Sequence, residues 1–384
     1  MQLVILGRQS KLGLAELESI LGADAITPIG NRAALINGEV NPAEFGGVIR
    51  LAKPMRELSA HNWPQIARHL IATIPESLTH LSDGKIKLGI SVFDVQVSSK
   101  QLFATALDLK KACRTAGRAV RIIPNSAPEL NSAQVLHNQL LGELGMELLV
   151  VKNGTKTWIA QTTWVQDIDA YAARDFGRPH RDAFVGMLPP KLAQTMLNLA
   201  GVMRGESVLD PFCGTGVVLQ EAALRGCAVY GSDLNERMVR YTRDNLVWLQ
   251  ESHKIDVEVY FEVADATNHT WRSPLGHIVC ETYLGQPLSG LPKPEKLAEI
   301  ARDCNTIIGK FMRNLHPQLQ PGSKLCIAVP AWRVGNTFKH LELLDHLEDL
   351  GYNRVRFQYA EFSDLIYHRE DQVVARELLV LISK

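Results

Sequence analysis

The hydrophobic pattern of the second half of the chain alternates short apolar runs with amphipathic stretches. The apolar runs lie at residues 207–210, 228–231, 257–263 and 278–280. An apolar helical segment, Val217–Leu224, follows the first run. Short apolar runs that alternate with helical segments are typical of a parallel sheet with helices on its faces. The pattern therefore predicts an α/β domain of the Rossmann-like type over residues 184–384.

The first half of the chain shows two further α/β patterns. Residues 1–60 contain a predicted strand at 2–6, a helix at 12–21, two strands within 25–40 and a short helix after Asn41-Pro42. Residues 61–166 contain a predicted strand at 87–95, a helix at 100–117, a strand at 118–124, a helix at 131–145 and a strand hairpin at 146–165. We expect two small α/β domains here, of which the first is ferredoxin-like.

A polar stretch separates these modules from the carboxyl-terminal domain. Residues 167–183 mix aromatic, basic and acidic side chains without apolar periodicity. Such a composition indicates a linker between domains and not an element of a core.

The strand at 207–210 runs into a glycine turn, Asp210-Pro-Phe212-Cys-Gly214-Thr-Gly216, which opens the helix Val217–Leu224. Glycines let backbone amides and a helix amino terminus approach an anionic group. A dinucleotide fingerprint needs a third glycine where Leu219 stands, so nicotinamide and flavin binding are disfavoured. We expect the turn to bind the methionine part of S-adenosylmethionine, with Asp210 facing its amino group.

Two later strands also end in acidic residues. Asp233 follows the strand at 228–231 and is placed to accept from both ribose hydroxyls. Asp265 follows the strand at 257–263 and is placed to accept from the adenine amino group. The order and spacing of these strand ends predict an S-adenosylmethionine site formed by Asp210, Phe212, Gly214, Gly216, Asp233, Leu234, Asp265 and Ala266.

Charge adds a candidate nucleic-acid surface. The chain has 41 basic and 41 acidic residues, so its net charge gives no argument for an anionic partner. Locally, the predicted helix at 100–117 buries an apolar stripe and carries basic residues on another side: Lys110, Lys111, Arg114 and, just beyond, Arg118. Phosphate contact by these residues and a merely solvated helix face both remain open.

The cysteine spacing argues against two kinds of stabilising site, and the hydropathy argues against a secreted or membrane-spanning protein. The six cysteines form no C-x-x-C pair and have no clustered histidine, which argues against structural zinc and a disulfide framework. The amino terminus lacks the features of a signal peptide, and no apolar stretch reaches the length of a membrane span. The sequence predicts a cytoplasmic protein without a metal and without a membrane partner.

Two segments give the chain its resemblance to a known family. They are residues 171–200, with Gly186-Met-Leu188-Pro-Pro-Lys191-Leu-Ala, and the turn Asp210–Gly216 with Gly231-Ser-Asp233. These resemble the linker and cofactor motifs of THUMP-domain tRNA guanine-N2 methyltransferases of the guanosine-10 type. The resemblance implies a class I methyltransferase domain at 184–384, a THUMP RNA-binding domain at 61–166, and methyl transfer to the exocyclic N2 amine of a tRNA guanosine.

One motif departs from the family pattern. The family has Asp/Asn-Pro-Pro-Tyr after its fourth strand, whereas this chain reads Glu281-Thr282-Tyr283-Leu-Gly. The motif supplies acceptors that draw the two N–H bonds of an aryl amine out of the ring plane, and an aromatic face for the extruded base. We expect Glu281, the Thr282 carbonyl and Tyr283 to take these roles as the catalytic set.

Three hypotheses remain open from the sequence. The first is an RNA guanine-N2 methyltransferase. The second is a catalytically silent RNA-binding protein, in which Glu281 caps a turn and Tyr283 packs in the core. The third is a DNA amino-methyltransferase, which would leave the 61–166 module unexplained. The expected partner is tRNA or another structured RNA, and the need for an accessory protein subunit stays open.

Overall fold

The computed structural model describes residues 1–80, 82–182, 188–288, 290–370 and 372–384. The predicted domain boundary at 183/184 and residues 183–187 of the family-like segment lie outside the described residues. The chain divides into two compact units, of which the first holds residues 1–10, 24–43 and 48–168 and the second holds 11–23, 44–47 and 169–384.

The elements up to residue 176 follow one another as β1 (Gln2–Leu6), α1 (Ser10–Leu21), β2 (Ile26–Ile29), β3 (Ala33–Ile36), β4 (Val48–Leu58), α2 (Trp63–Ser77), β5 (Ile86–Phe93), α3 (Ser99–Thr115), β6 (Val120–Ile122), α4 (Ser132–His137), β7 (Gly145–Asn153), β8 (Lys156–Val165) and α5 (Ile168–Phe176). The strands form one eight-stranded sheet in the order β2-β3-β1-β4-β8-β7-β5-β6. Strands of the predicted 1–60 and 61–166 modules therefore share a sheet, joined by the antiparallel pair β4–β8.

Most of the elements predicted up to residue 183 are present, and three differ. The short helix expected after Asn41-Pro42 is wrong: a 3₁₀ turn, Pro42–Glu44, is followed by the strand β4. The helix expected at 131–145 ends at His137. The stretch 167–183, expected to be irregular, contains α5, none of whose residues is buried.

Helix α3 confirms the amphipathic pattern predicted for it. Ser98 and Gln101 form a reciprocal capping box at its start, which satisfies two of the otherwise unpaired backbone N–H groups. The helix buries Leu102, Ala106, Leu109 and Cys113, as the periodicity predicted. Its basic residues are therefore left on other faces.

The second unit continues with α6 (Pro190–Leu199), β9 (Ser207–Asp210), α7 (Val217–Leu224), β10 (Ala228–Asp233), α8 (Glu236–His253), β11 (Val259–Val263), β12 (His277–Glu281), α9 (Pro294–Leu315), β13 (Lys324–Val334), β14 (Thr337–Lys339), β15 (Tyr352–Arg354), β16 (Ile366–Tyr367) and β17 (Val374–Ser383). The main path of the sheet is β11-β10-β9-β12-β13-β17-β15. The pairs from β11 to β13 are parallel, and β17 runs antiparallel to β13.

This topology places a ligand crevice. The chain moves outward from β9 through β10 to β11 and then returns to the other side of β9 with β12. At such a switch point the loops that leave neighbouring strands diverge and open a crevice at the carboxyl ends of the strands. Asp210 ends β9 and Glu281 ends β12, so both predicted groups lie at this point.

Two apolar cores cover the faces of the sheet. One contains Val279, Ala328 and Leu378 together with residues of α6, α7 and α8. The other contains Cys280 and Ile327 together with residues of α9. Alternate residues of each strand thus point to opposite faces, as in a sheet covered by helices on both sides.

All six cysteines are free and buried. Within the described ranges, no three His, Cys, Asp or Glu side chains come together as a potential metal site. Over the same ranges, no helix has the length and the apolar character that crossing a membrane requires.

Candidate active site

The turn after β9 is built around two glycines with positive φ. Gly214 has φ +52° and Gly216 has φ +81°, a region that residues with a Cβ rarely adopt. Gly216 is also the N-cap of α7, and a Cβ there would lie 2.8 Å from Thr242 Cγ2. The Thr242 hydroxyl donates to the Gly214 carbonyl at 2.8 Å, so this residue of α8 holds the turn from behind. Glycine is therefore needed for packing as well as for the turn.

Asp233, at the end of β10, ties this turn to the neighbouring strand. Its Oδ2 accepts from the Gly214 backbone N–H at 3.0 Å, and its Oδ1 accepts from the Asn235 N–H at 2.9 Å. A carboxylate can accept about four hydrogen bonds, so each oxygen keeps capacity for a further donor. Asp233 can thus shape the turn and bind a ligand at the same time.

Asp265 lies beyond β11 and is held by one residue. Its Oδ1 accepts from the backbone N–H of Thr267 at 2.9 Å and from the Thr267 hydroxyl at 2.8 Å. These two bonds lower the pKa of Asp265, so it is ionised at neutral pH. Oδ2 takes part in neither bond and can accept from a ligand amine.

The predicted groups come together around one cavity of about 490 Å³. All predicted cofactor residues line it except Gly216, which backs onto Thr242, and Glu281, Thr282 and Tyr283 line it as well. A volume of this size falls within the range of small-molecule sites. Sequence reasoning did not name several lining residues, among them Leu188, Thr215, Thr267, Leu284 and Ile307. Most of these are apolar or are backbone neighbours of named residues, so no local pattern distinguishes them.

The Glu281 carboxylate has a partner that the sequence did not indicate. Arg376, on β17, donates from Nε to Glu281 Oε1, and both side chains are largely buried. The turn-capping role considered for Glu281 is therefore not the one observed. The sequence could have indicated this partner through the charged pair Arg376-Glu377 inside the apolar run of β17, because buried arginines and glutamates almost always have partners.

The loop after β12 is anchored where it leaves the sheet. The backbone N–H and the hydroxyl of Thr282 both donate to the Ala328 carbonyl, at 2.9 and 3.0 Å. Tyr283, the next residue, is 38% exposed. The interpretation in which Tyr283 packs in the core is therefore wrong.

Burial controls the charge of the residues at the base of the cavity. Desolvation raises the pKa of Asp210 well above its usual value, and the carboxylates of Asp233 and Glu281 raise it further. Desolvation also raises the pKa of Asp233. A cationic ligand would relieve this repulsion. Desolvation likewise raises the pKa of the Cys280 thiol well above its usual value, which disfavours a thiolate nucleophile.

The candidate RNA-binding residues lie in the first unit. Lys110, Lys111 and Arg114 are exposed on α3. Lys111 pairs with Asp108 at 3.3 Å, and both side chains are more than half exposed, so the pair is weak. The Arg118 side chain is only 11% exposed and donates to the Ser82 carbonyl at 2.6 Å. The first three residues form an exposed basic stripe, and Arg118 is turned toward its own domain.

A comparison with protein families identifies the segment that carries the cavity. Residues 178–341 match the model of the RMKL-like methyltransferase domain. This segment is thus similar to that family over less than half of the chain. It contains β9 to β12, the glycine turn and the Glu281 loop.

Curated relatives of this methyltransferase domain act on tRNA. One is the tRNA (guanine(10)-N2)-dimethyltransferase of Methanothermobacter thermautotrophicus, 37% identical over 155 residues, which are 40% of this chain and 42% of the relative. Another is the tRNA (guanine(6)-N2)-methyltransferase of Thermus thermophilus, 42% identical over 65 residues, which are 16% of this chain and 19% of the relative. The matches span less than half the length of these relatives. The sequence-based resemblance to guanine-N2 methyltransferases is confirmed for this domain.

A solved structure matches the whole chain. The crystal structure of TrmN from Thermus thermophilus aligns with a TM-score of 0.55 at 16% identity and covers 100% of this chain and 99% of that one. At this identity the likeness shows the fold alone. It confirms the predicted α/β architecture with a Rossmann-like methyltransferase domain.

Proposed function

We propose that the chain is an S-adenosylmethionine-dependent RNA methyltransferase that methylates the exocyclic N2 amine of a guanosine in tRNA. One observation carries the proposal: a single cavity at the β9/β12 switch point joins the acidic strand ends at Asp210 and Asp233 to the Glu281-Thr282-Tyr283 loop. The names of the curated relatives supply the substrate class.

The residues present fit the cofactor by their chemistry. S-adenosylmethionine carries an electrophilic methyl group on a sulfonium and a cationic amino group. Buried Asp210 offers a carboxylate for that amino group, and residues 212–215 of the glycine turn line the part of the cavity where the methionine portion would lie. Asp233 would hold the ribose hydroxyls and Asp265 the adenine amino group, with apolar Phe212, Leu234 and Ala266 against the rings. The acidic lining suits a cationic ligand better than a pyrophosphate.

Across the cavity, Glu281 and Thr282 would bind the target amine. The lone pair of an aryl amine is delocalised into the ring, so an acceptor must draw its N–H bonds out of plane before the nitrogen can attack a methyl group. Glu281 would accept one N–H and the Thr282 carbonyl the other. The exposed ring of Tyr283 can stack on an extruded base, an interaction worth roughly 1–3 kcal/mol.

The first unit would bring the RNA. We assign residues 61–166 as a THUMP RNA-binding domain, residues 1–60 as a ferredoxin-like domain and 167–183 as the linker, and we expect Lys110, Lys111 and Arg114 to contact phosphates. A cytoplasmic location belongs to the same proposal, because transfer RNA is its substrate. Whether an accessory subunit is needed is tested by the activity of the purified chain.

Methyl transfer to RNA tests this proposal directly. The purified chain is incubated with methyl-labelled S-adenosylmethionine and unmodified tRNA, and the digested nucleosides are analysed by mass spectrometry. We expect N2-methylguanosine, lost in Glu281→Ala and kept in Asp256→Ala, an exposed carboxylate outside the cavity. Duplex DNA in parallel distinguishes a DNA amino-methyltransferase. Cofactor and RNA binding without transfer to any nucleic acid would favour a silent RNA-binding protein.

A further inference from the structure

Arg376 is an arginine within the apolar strand β17. Its side chain is 9% exposed, and its Nε donates to Oε1 of Glu281, whose side chain is 13% exposed. Glu281 lines the cavity at the position proposed for the amine acceptor. Arg376 thus contacts the carboxylate that we propose as the acceptor of the target amine.

The sheet register explains how residues so distant in sequence meet. Glu281 on β12 pairs with Ala328 on β13, and Ala328 pairs with Leu378 on β17. Paired residues point to the same face, and Arg376, two positions before Leu378, shares that face. Ala328 is the residue between them, and its methyl group is short enough for the arginine to reach across β13 to Glu281.

We infer that Arg376 is a positioning residue for methyl transfer: it commits Oε1 of Glu281 and thereby presents Oε2 to the amine of the target base. This inference rests on the proposed function. A glutamate has one more rotatable bond than an aspartate, so its carboxylate needs an external constraint to hold one orientation. The Nε–H of a planar guanidinium gives a directed, charge-assisted hydrogen bond of this kind.

The charges around Glu281 also support a positioning role for Arg376. Asp210 and Asp233 lie on the same cavity as Glu281, so three carboxylates share a poorly solvated space. The guanidinium brings a positive charge to the Glu281 carboxylate and offsets part of this repulsion. A buried ion pair is weak evidence for a stabilising role, because apolar residues of similar volume often give equal stability. Its place at the cavity points to function.

The inference is tested by a double-mutant cycle on single-turnover methyl transfer to tRNA. Arg376→Met should lower the rate by about ten- to a hundred-fold, because the acceptor is no longer aimed, with a much smaller change in the RNA concentration at half-maximal rate. Arg376→Lys, which keeps the charge, should recover part of the rate. In a Glu281→Ala background, Arg376→Met should change the residual rate by less than about two-fold, because the arginine acts through the glutamate.

A matched pair on the same strand gives the control. Glu377 follows Arg376 on β17, points to the other face, and accepts from Arg354 at 2.8 Å. Arg354→Met therefore also removes an arginine partner of a buried glutamate away from the cavity, although Glu377 keeps its second partner, His340. We expect it to lower the melting temperature while the transfer rate stays within about two-fold of wild type. Thermal unfolding is measured on every variant to check that Arg376→Met is folded. The calorimetric affinity for S-adenosylmethionine is measured as well, to check that Arg376→Met binds the cofactor.

Each outcome has a separate meaning. Rate losses from Arg376→Met and Glu281→Ala that multiply in the double variant would overturn the positioning role and leave the methyltransferase intact. An equal rate loss in Arg354→Met would assign the effect to general destabilisation and would also overturn it. A wild-type chain that transfers no methyl group to any RNA would overturn the proposed function and the inference together.

Discussion

Replacing Asp233 by alanine tests the cofactor site most directly. The wild-type carboxylate has two established hydrogen bonds, from the backbone N–H groups of Gly214 and Asn235, and capacity for two more, which we assign to the ribose hydroxyls. A hydrogen bond to a charged group contributes about 1.5–3 kcal/mol, and part of this returns when the hydroxyls are hydrated instead. We therefore expect a loss of about 2–3 kcal/mol, which corresponds to an affinity for S-adenosylmethionine that is weaker by roughly thirty- to 150-fold.

The asparagine variant sharpens this prediction. An amide has one acceptor oxygen, so in Asp233→Asn the NH₂ group must face one of the two backbone N–H donors, or the amide must turn away from the loop. Either arrangement disturbs the turn at Gly214, and we expect Asp233→Asn to bind the cofactor nearly as weakly as Asp233→Ala. An isosteric change would be harmless if the side chain served only to fill space.

Isothermal titration calorimetry measures these affinities, and thermal unfolding shows that each variant is folded. Asp256→Ala removes an exposed carboxylate that does not line the cavity and serves as the control. A dissociation constant for folded Asp233→Ala within about two-fold of wild type would refute the assignment of Asp233 to the ribose.

Three further predictions follow from the charges of the described residues. Burial raises the pKa of Asp210. The protonated carboxyl therefore contributes stability that is fully present below the unfolded pKa of about 3.9 and is lost as pH rises through the folded pKa. Asp210→Asn should thus unfold at a higher temperature than wild type at pH 7 without ligand, yet bind the cofactor more weakly. Glu281→Gln keeps an acceptor and should retain some turnover in single-turnover assays, whereas Glu281→Ala should lose about a hundred-fold or more, with cofactor affinity unchanged in both. Charge reversal at Lys110 and Arg114 together should lower RNA affinity and flatten its dependence on salt, measured by fluorescence anisotropy, because phosphate contacts release counterions.

Each of these has a contrary result. Equal melting temperatures of wild type and Asp210→Asn across pH 4 to 8 would mean that burial of the Asp210 carboxylate does not destabilise the folded protein. Equal rates for wild type and Glu281→Ala would remove Glu281 from the reaction. An unchanged salt slope after charge reversal would leave the stripe on α3 as a solvated face.

The acidic residues that we assign to the cofactor line one cavity, as the sequence indicated, because their positions are encoded locally. Asp210 and Asp233 end their strands, and Asp265 lies two residues after β11. Parallel strands end at the same edge of a sheet. Asp210, Asp233 and Asp265 therefore needed no knowledge of distant pairing to be placed together. The glycine turn could also be predicted from the sequence, because few residues other than glycine adopt its positive φ angles.

Features that depend on distant strand pairing were missed. The strand β4 lies where the sequence predicted only a short helix after Asn41-Pro42. It contains Pro54 and several charged residues, and its register shifts by a bulge between Pro54 and Arg56, where a proline is tolerated. Arg376 meets Glu281 across 95 positions of sequence and two strand pairings. Neither register can be read from a single sequence, because nothing in the local pattern of β17 says which strand lies beside it.

The loss of both prolines from the loop after β12 does not by itself indicate a silent protein. Prolines restrict a loop through its backbone, and this loop is restricted by other contacts. At its start, Thr282 is fixed to β13 by two hydrogen bonds to the Ala328 carbonyl. At its end, Gly285 has φ +89°, and a Cβ there would lie 2.9 Å from Ile300 Cγ2 on α9, so the backbone packs closely against that helix. Between these two points stands Tyr283, with its ring exposed at the cavity. The loop therefore holds an exposed aromatic side chain between two fixed ends without any proline, which is the arrangement that the proposed acceptor site requires.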